Sequence, residues 1–207
     1  MYSDITGIIL SGGKSVRMGT NKALLKIGNE TIIEKIVRLI RPLFPTILLS
    51  ANTPEEYAFL NLPVIRDEFF ELGPLAGIHS ALRHAATKKI FVLSCDIPLM
   101  KRNIINYLCT YPSTASVVIA QADGFLQPLC GVYDVSLLSP LTQFLQEHSQ
   151  PELHGKKNCK IAAFLKTVET EVLDIAATFS GYEEGTFFNM NNREEFEEIT
   201  KRIGTGA

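Results

Sequence analysis

The chain has 207 residues, 46% of them hydrophobic and 20% charged, which is enough apolar side chain for one globular domain with a large core. Its net charge of −2 excludes a broad basic field for nucleic acid. Met1-Tyr2-Ser3-Asp4 does not read as a signal peptide, and no apolar run approaches the length of a membrane span, so a cytoplasmic protein without a membrane partner is expected.

Ile5 to Leu10 reads as a fully buried strand. It runs into Ser11-Gly12-Gly13, and Arg17, Gly19 and Lys22 follow. Gly12 and Gly13 can bring backbone N–H groups close to a ligand, and Arg17 and Lys22 add cations suited to phosphate oxygens. The segment fits a polyphosphate cradle; its composition also fits a surface turn with solvated cations. Gly13-Lys14-Ser15 imitates the end of a P-loop, but the opening glycine would fall at Ile8, inside the strand. That match is accidental, and Lys22 is the better phosphate ligand.

Glu30 to Ile40 reads as a helix with Ile32, Ile33, Ile36, Val37 and Ile40 on one face, stopped by Pro42 and Pro45. Strands follow at Thr46 to Ser50 and Leu62 to Ile65. Gly73-Pro74 opens a helix carrying Leu75, Ile78, Leu82 and Ala86, and Ile90 to Ser94 is the next strand. Lys101 to Cys109 is helical, and Ala115 to Gln121 is a strand. Asp123-Gly124 turns a hairpin into the strand Phe125 to Tyr133. Helices at Val135 to Glu147 and Asn158 to Leu165, a short strand at Glu171 to Asp174 and a helix at Asn192 to Arg202 complete the chain. Alternating strands and helices predict an α/β fold, three-layered and Rossmann-like, with a mostly parallel central sheet and a small antiparallel element.

In such sheets ligands sit beyond the carboxyl ends of the strands, where the glycine segment, Asn52, Asp67 and Asp96 all fall. Asp96 could hold a metal or cap the following helix; Asp67 could face a ligand or pair with Arg66. Asn52 could instead form an Asx-turn, and Asn189 and Asn191 a turn; on a strand these two would face the same side. Lys156, Lys157 and Lys160 could grip a ligand's phosphate or be a solvated face. The cysteines (Cys95, Cys109, Cys130, Cys159) contain no C-x-x-C and suit core packing in a reducing compartment. The four histidines lack a metal-binding spacing, so a metal here is expected to be a hard, oxygen-bound cation.

Four blocks stand in order: Leu10-Ser11-Gly12-Gly13 with Arg17-Met18-Gly19 and Lys22-Ala23-Leu24-Leu25; Gly73 to Ile78; Cys95-Asp96-Ile97-Pro98; and Phe187 to Asn191. Together they resemble the nucleotidyltransferases, and among these the molybdenum cofactor guanylyltransferases. The chain departs from that pattern in Ser11 for the usual Ala, Asn21 for Asp, and Asn192-Arg193 for Thr-Pro. The resemblance implies one domain, 1–207, with residues 1–110 binding GTP and 111–207 binding molybdopterin. It implies transfer of GMP from GTP to molybdenum-bound molybdopterin with release of pyrophosphate. Arg17, Lys22 and Asp96 would act in catalysis. Leu10, Ser11, Gly12, Gly13, Lys22, Asn52, Asp67 and Asp96 would bind GTP, and Asp96 would bind Mg²⁺. Asn189, Asn191 and Lys160 would bind the acceptor. A monomer is expected, with transient contacts to other molybdenum-cofactor proteins. The alternatives are cytidylyl transfer to the same cofactor, a sugar-1-phosphate nucleotidyltransferase, or a noncatalytic GTP-binding regulator.

Overall fold

The computed structural model describes residues 1–12, 21–149 and 160–204. Strand β1 (Ile5–Leu10) is buried at all six residues, as expected of a strand covered on both faces. A 3₁₀ turn at Lys22–Leu24 follows, capped by the Asn21 side chain. β2 (Lys26–Ile27) and β3 (Glu30–Thr31) form a small antiparallel ladder around Gly28. The helix expected from Glu30 therefore begins two residues later as α1 (Ile32–Ile40). The reason is local: Thr31 and Glu34 close a capping box, which leaves Glu30 in the ladder.

β4 (Ile47–Ser50) leads through a 3₁₀ segment, Pro54–Leu60, to β5 (Val64–Ile65). α2 (Pro74–His84), β6 (Lys89–Ser94) and α3 (Arg102–Thr110) follow. β7 (Val117–Ala122) and β8 (Phe125–Asp134) are joined by the predicted hairpin, with Asp123 and Gly124 both at positive φ, 54° and 80°. After a 3₁₀ turn at Val135–Leu137, α4 (Leu138–His148) begins three residues beyond its expected start. α5 (Ile161–Leu165), β9 (Thr170–Asp174), α6 (Ile175–Thr178) and α7 (Arg193–Gly204) complete the described elements.

The main sheet has seven strands in the order β5-β4-β1-β6-β8-β7-β9. β8 is antiparallel to both its neighbours, β6 and β7, whereas the other adjacent pairs are parallel. The antiparallel element thus lies inside the sheet, because the tight hairpin forces β8 back between β7 and β6. Alternate residues of β1 serve opposite cores. Ile5 and Ile9 pack with α1, α3 and Ile199 of α7, while Ile8 and Leu10 pack with α2, α4 and α5. These are the three layers. Among the described residues no helix is long and apolar enough to cross a membrane.

Candidate active site

The parallel register brings four strand ends to one edge. Leu10 lies level with Ser50 on one side and Ser94 on the other, and Ser50 lies level with Ile65. The ladder continues one step beyond the strands: Ser11 N–H donates to Ser50 O, Cys95 N–H to Leu10 O and Ala51 N–H to Ile65 O. Ser11, Asn52, Asp67 and Asp96 therefore emerge together, as their positions after strands predicted.

Asp96 is half-buried, but its Oδ1 is fully buried and has no hydrogen-bond partner. It does not cap α3, whose N-cap, Lys101, makes no side-chain capping bond. Burial raises the Asp96 carboxyl above its ordinary pKa, opposed by a hydrogen bond from Ser94 and by the charge of Lys22. A buried carboxylate oxygen without a partner is a natural ligand for a hard cation. Among the described residues no group of three or more His, Cys, Asp or Glu side chains could enclose a metal. A cation at Asp96 would take further ligands from phosphate and water, a habit of Mg²⁺.

Lys22 is half-buried rather than a solvated cation of a surface turn. Its Nζ donates to Met190 O at 3.0 Å, and Met190 N–H donates to Asp96 O at 2.9 Å. Met190 thus binds the residue 189–191 segment to both Asp96 and Lys22. That segment is irregular rather than a strand, yet Asn189 and Asn191 are both exposed on either side of buried Met190. Just beyond it, Asn192 Oδ1 accepts from Glu195 N–H while Glu195 Oε2 accepts from the N–H groups of Asn191 and Asn192. Asn192 thus caps α7, which starts without the proline of the usual pattern.

Asp67 pairs with Asn52, not Arg66. Asn52 Nδ2 donates to Asp67 Oδ2 at 3.0 Å, and Asp67 N–H donates to Asn52 Oδ1 at 3.0 Å. Ser50 Oγ adds a longer bond of 3.4 Å to Asp67 Oδ1. Burial raises the Asp67 pKa, and these side-chain bonds oppose the rise. α2 packs directly over this group. A Cβ at Gly77 would stand 2.8 Å from Ser50 Oγ and 3.5 Å from Asp67 Oδ1, so Gly77 permits the approach. Gly73, at φ +71°, supplies the left-handed turn before Pro74.

Cys95 borders the site, but burial, aided by the Asp96 charge, pushes its thiol up to about 12. It is no nucleophile at neutral pH. Lys160 is exposed at the residue before α5 and makes no hydrogen bond to Asn189 or Asn191. Arg17, Gly13, Lys156 and Lys157 lie outside the described residues, and Gly12 is exposed at the end of the described β1 segment. Sequence reasoning missed Glu56 and Tyr57, whose side chains reach Asn21 and, from Tyr57, Ser11. The signal was Pro54, a residue suited to opening a helical turn.

Residues 7–159 match the MobA-like NTP transferase domain. The chain belongs to the MobA-like NTP transferase family. A probable molybdenum cofactor guanylyltransferase of Carboxydothermus hydrogenoformans is 38% identical over 199 residues, covering 96% of each chain. A crystal structure of an Aquifex aeolicus protein is 32% identical, with a TM-score of 0.73, over 91% of this chain and 94% of that one. Molybdopterin-guanine dinucleotide biosynthesis protein A of Archaeoglobus fulgidus shares the fold at a TM-score of 0.78 and 21% identity, over 97% of this chain and 99% of that one. The edge carrying Asp96, Lys22 and Asp67 is therefore the candidate active site of a MobA-like nucleotidyltransferase.

Proposed function

We propose that this nucleotidyltransferase transfers GMP from GTP to molybdenum-bound molybdopterin, forming molybdopterin guanine dinucleotide and releasing pyrophosphate. The observation that carries this reading is the unpartnered, buried Asp96 Oδ1 at the convergent strand ends, beside the Lys22 cation. GTP lies across those ends. Gly12, Gly13, Arg17 and Lys22 meet the triphosphate, and the cations offset its charge. Asp67, oriented by Asn52 and Ser50, accepts hydrogen bonds from the nucleoside, with Leu10 and Ser11 beneath it. Asp96 would hold a magnesium ion, which supplies charge neutralisation on the phosphate oxygens.

The first half of the chain, 1–110, handles the nucleotide, and 111–207 handles the acceptor. Asn189, Asn191 and Lys160 bind the acceptor's terminal phosphate or pterin. Oriented in line, an oxygen of that phosphate attacks the α-phosphorus as the bond to the β-phosphate oxygen breaks. The protein contributes position and charge and needs no covalent intermediate. The free thiols of Cys95, Cys109 and Cys130 and the use of GTP suit the cytoplasm.

The test offers GTP, CTP, ATP and UTP together with Mg²⁺ and molybdopterin and identifies the dinucleotide formed. The guanine dinucleotide is expected. A dominant cytosine dinucleotide would make this the cytidylyl enzyme, and GTP binding without pyrophosphate release would make it a regulator. Asp96→Asn should keep the fold and lose turnover by a factor on the order of 10² or more, the scale of a lost charge-stabilising group. A wild-type rate at saturating Mg²⁺ would remove Asp96 from the metal.

A further inference from the structure

One oxygen atom joins the two sides of the glycine segment. Tyr57, 1% exposed, lies in the 3₁₀ segment between β4 and β5. Its hydroxyl oxygen is 2.8 Å from Asn21 Nδ2 and 2.7 Å from Ser11 Oγ. The direction of the Asn21 bond follows from what each group can do. Asn21 Oδ1 faces the Ala23 N–H at 3.1 Å, so its other terminal atom is the amide nitrogen, which can only donate. The Tyr57 oxygen accepts from it and shares a proton with Ser11 Oγ, either oxygen being able to donate. The same Asn21 amide donates to Glu56 Oε2 at 2.5 Å, and the Cys95 thiol donates to Ser11 Oγ at 3.7 Å.

The bonds form a chain. Asn21 caps the turn that carries Lys22, Tyr57 holds Asn21, and Ser11 holds Tyr57. Ser11 is itself part of the sheet edge through its N–H bond to Ser50 O. Burial raises the Tyr57 pKa, opposed by the bonds to Ser11 and Asn21, so the hydroxyl keeps its proton at neutral pH. Tyr133 provides a contrast: its hydroxyl donates to a single backbone carbonyl, that of Pro128, within its own strand. Tyr57 instead bridges two side chains distant in sequence, each next to a residue of the active site.

We propose that Tyr57 is a positioning residue for nucleotidyl transfer. Through Asn21 and Ser11 it holds the Lys22 ammonium in register with the strand end that carries Asp96, so that the cation meets the GTP phosphates without rearrangement. This rests on the GTP-dependent reaction proposed above and assigns a further residue to it.

Tyr57→Phe tests it, because the ring and its packing remain and only the shared oxygen goes. KM for GTP should rise roughly tenfold, the scale of a lost hydrogen bond, while KM for molybdopterin stays unchanged. A merely structural role would lower the fraction of active enzyme, reducing apparent kcat and leaving both KM values alone. Trypsin should also cut after Lys22 faster in Tyr57→Phe than in the wild type, a readout that needs no turnover. An unchanged KM for GTP in Tyr57→Phe overturns the proposal. Should the wild-type protein make no dinucleotide, the reaction itself falls, whereas the cleavage rate still reports whether the bridge restrains Lys22. Should Asp96→Asn lose turnover while Tyr57→Phe matches wild type in KM and cleavage, the reaction stands and the positioning role falls.

Discussion

Lys22 shows how a side chain can serve both the fold and the chemistry. Its ammonium donates to Met190 O, and its charge lowers the pKa of Asp96 against the effect of burial. One hydrogen bond leaves further N–H donors for a phosphate. Lys22→Ala should therefore weaken GTP binding on the order of 10- to 100-fold, as expected for a charge-assisted bond. It should also cost about 1 kcal/mol of stability through the lost bond to Met190. Titration calorimetry and thermal melts measure the two effects separately. A lowered melting temperature with unchanged GTP affinity would leave Lys22 a purely structural residue. Two family departures also have partners at this scale. Ser11 Oγ shares a hydrogen bond with the Tyr57 hydroxyl, and Asn21 donates to Tyr57 and Glu56, where a carboxylate would oppose Glu56.

At the scale of elements, the contact between α2 and α4 carries a pH dependence. His79 is 1% exposed, with its ring edge-on to Phe69 and its Nε2 2.9 Å from Thr142 Oγ1. Thr142 gives its hydroxyl proton to Leu138 O, so Nε2 carries the histidine proton and donates to Thr142. Nδ1 is then a buried acceptor without a partner. Burial holds the His79 pKa below its ordinary 6.5, with Glu68 opposing and Arg83 reinforcing the shift. Below that value the unfolded chain binds this proton more readily than the folded protein. The stability contribution is complete above the unfolded pKa and is lost as pH falls below it toward the folded pKa. Melting temperatures of wild type and His79→Gln, followed from about pH 8 to pH 5, check the sign. The wild type should lose more stability on acidification than the variant. Parallel curves would show that His79 does not titrate with unfolding.

At the scale of the whole molecule, the seven-stranded sheet joins the proposed nucleotide and acceptor halves through the β6–β8 pair. A GTP analogue with an α,β-methylene bridge binds without transfer, so each ligand can be studied alone. At 100 times its Kd it should stabilise the protein by about 2.7 kcal/mol and raise Tm by roughly 5–10 °C. Molybdopterin alone should give its own shift, and the two should add if the halves bind independently. A combined shift greater than the sum would reveal coupling between the sites, which must be reciprocal.

Much of this was local and therefore legible in the sequence. Apolar runs marked β1 and β6, periodicity marked α1 and α2, and Asp123-Gly124 marked its hairpin by the positive φ it requires. Asp96, Asp67 and Asn52 were identifiable because each follows a strand, and strand ends in a parallel sheet share an edge. Partners distant along the chain were not legible. No local pattern indicates that β8 inserts beside β6, that Met190 joins Asp96 to Lys22, or that Tyr57 meets both Ser11 and Asn21. Propensity and periodicity act over one turn or one strand, so the residue types alone determined the elements and the edge where a ligand would lie. Which side chains complete that edge was decided only by tertiary packing, which satisfies buried donors and acceptors with whatever group the fold brings within reach.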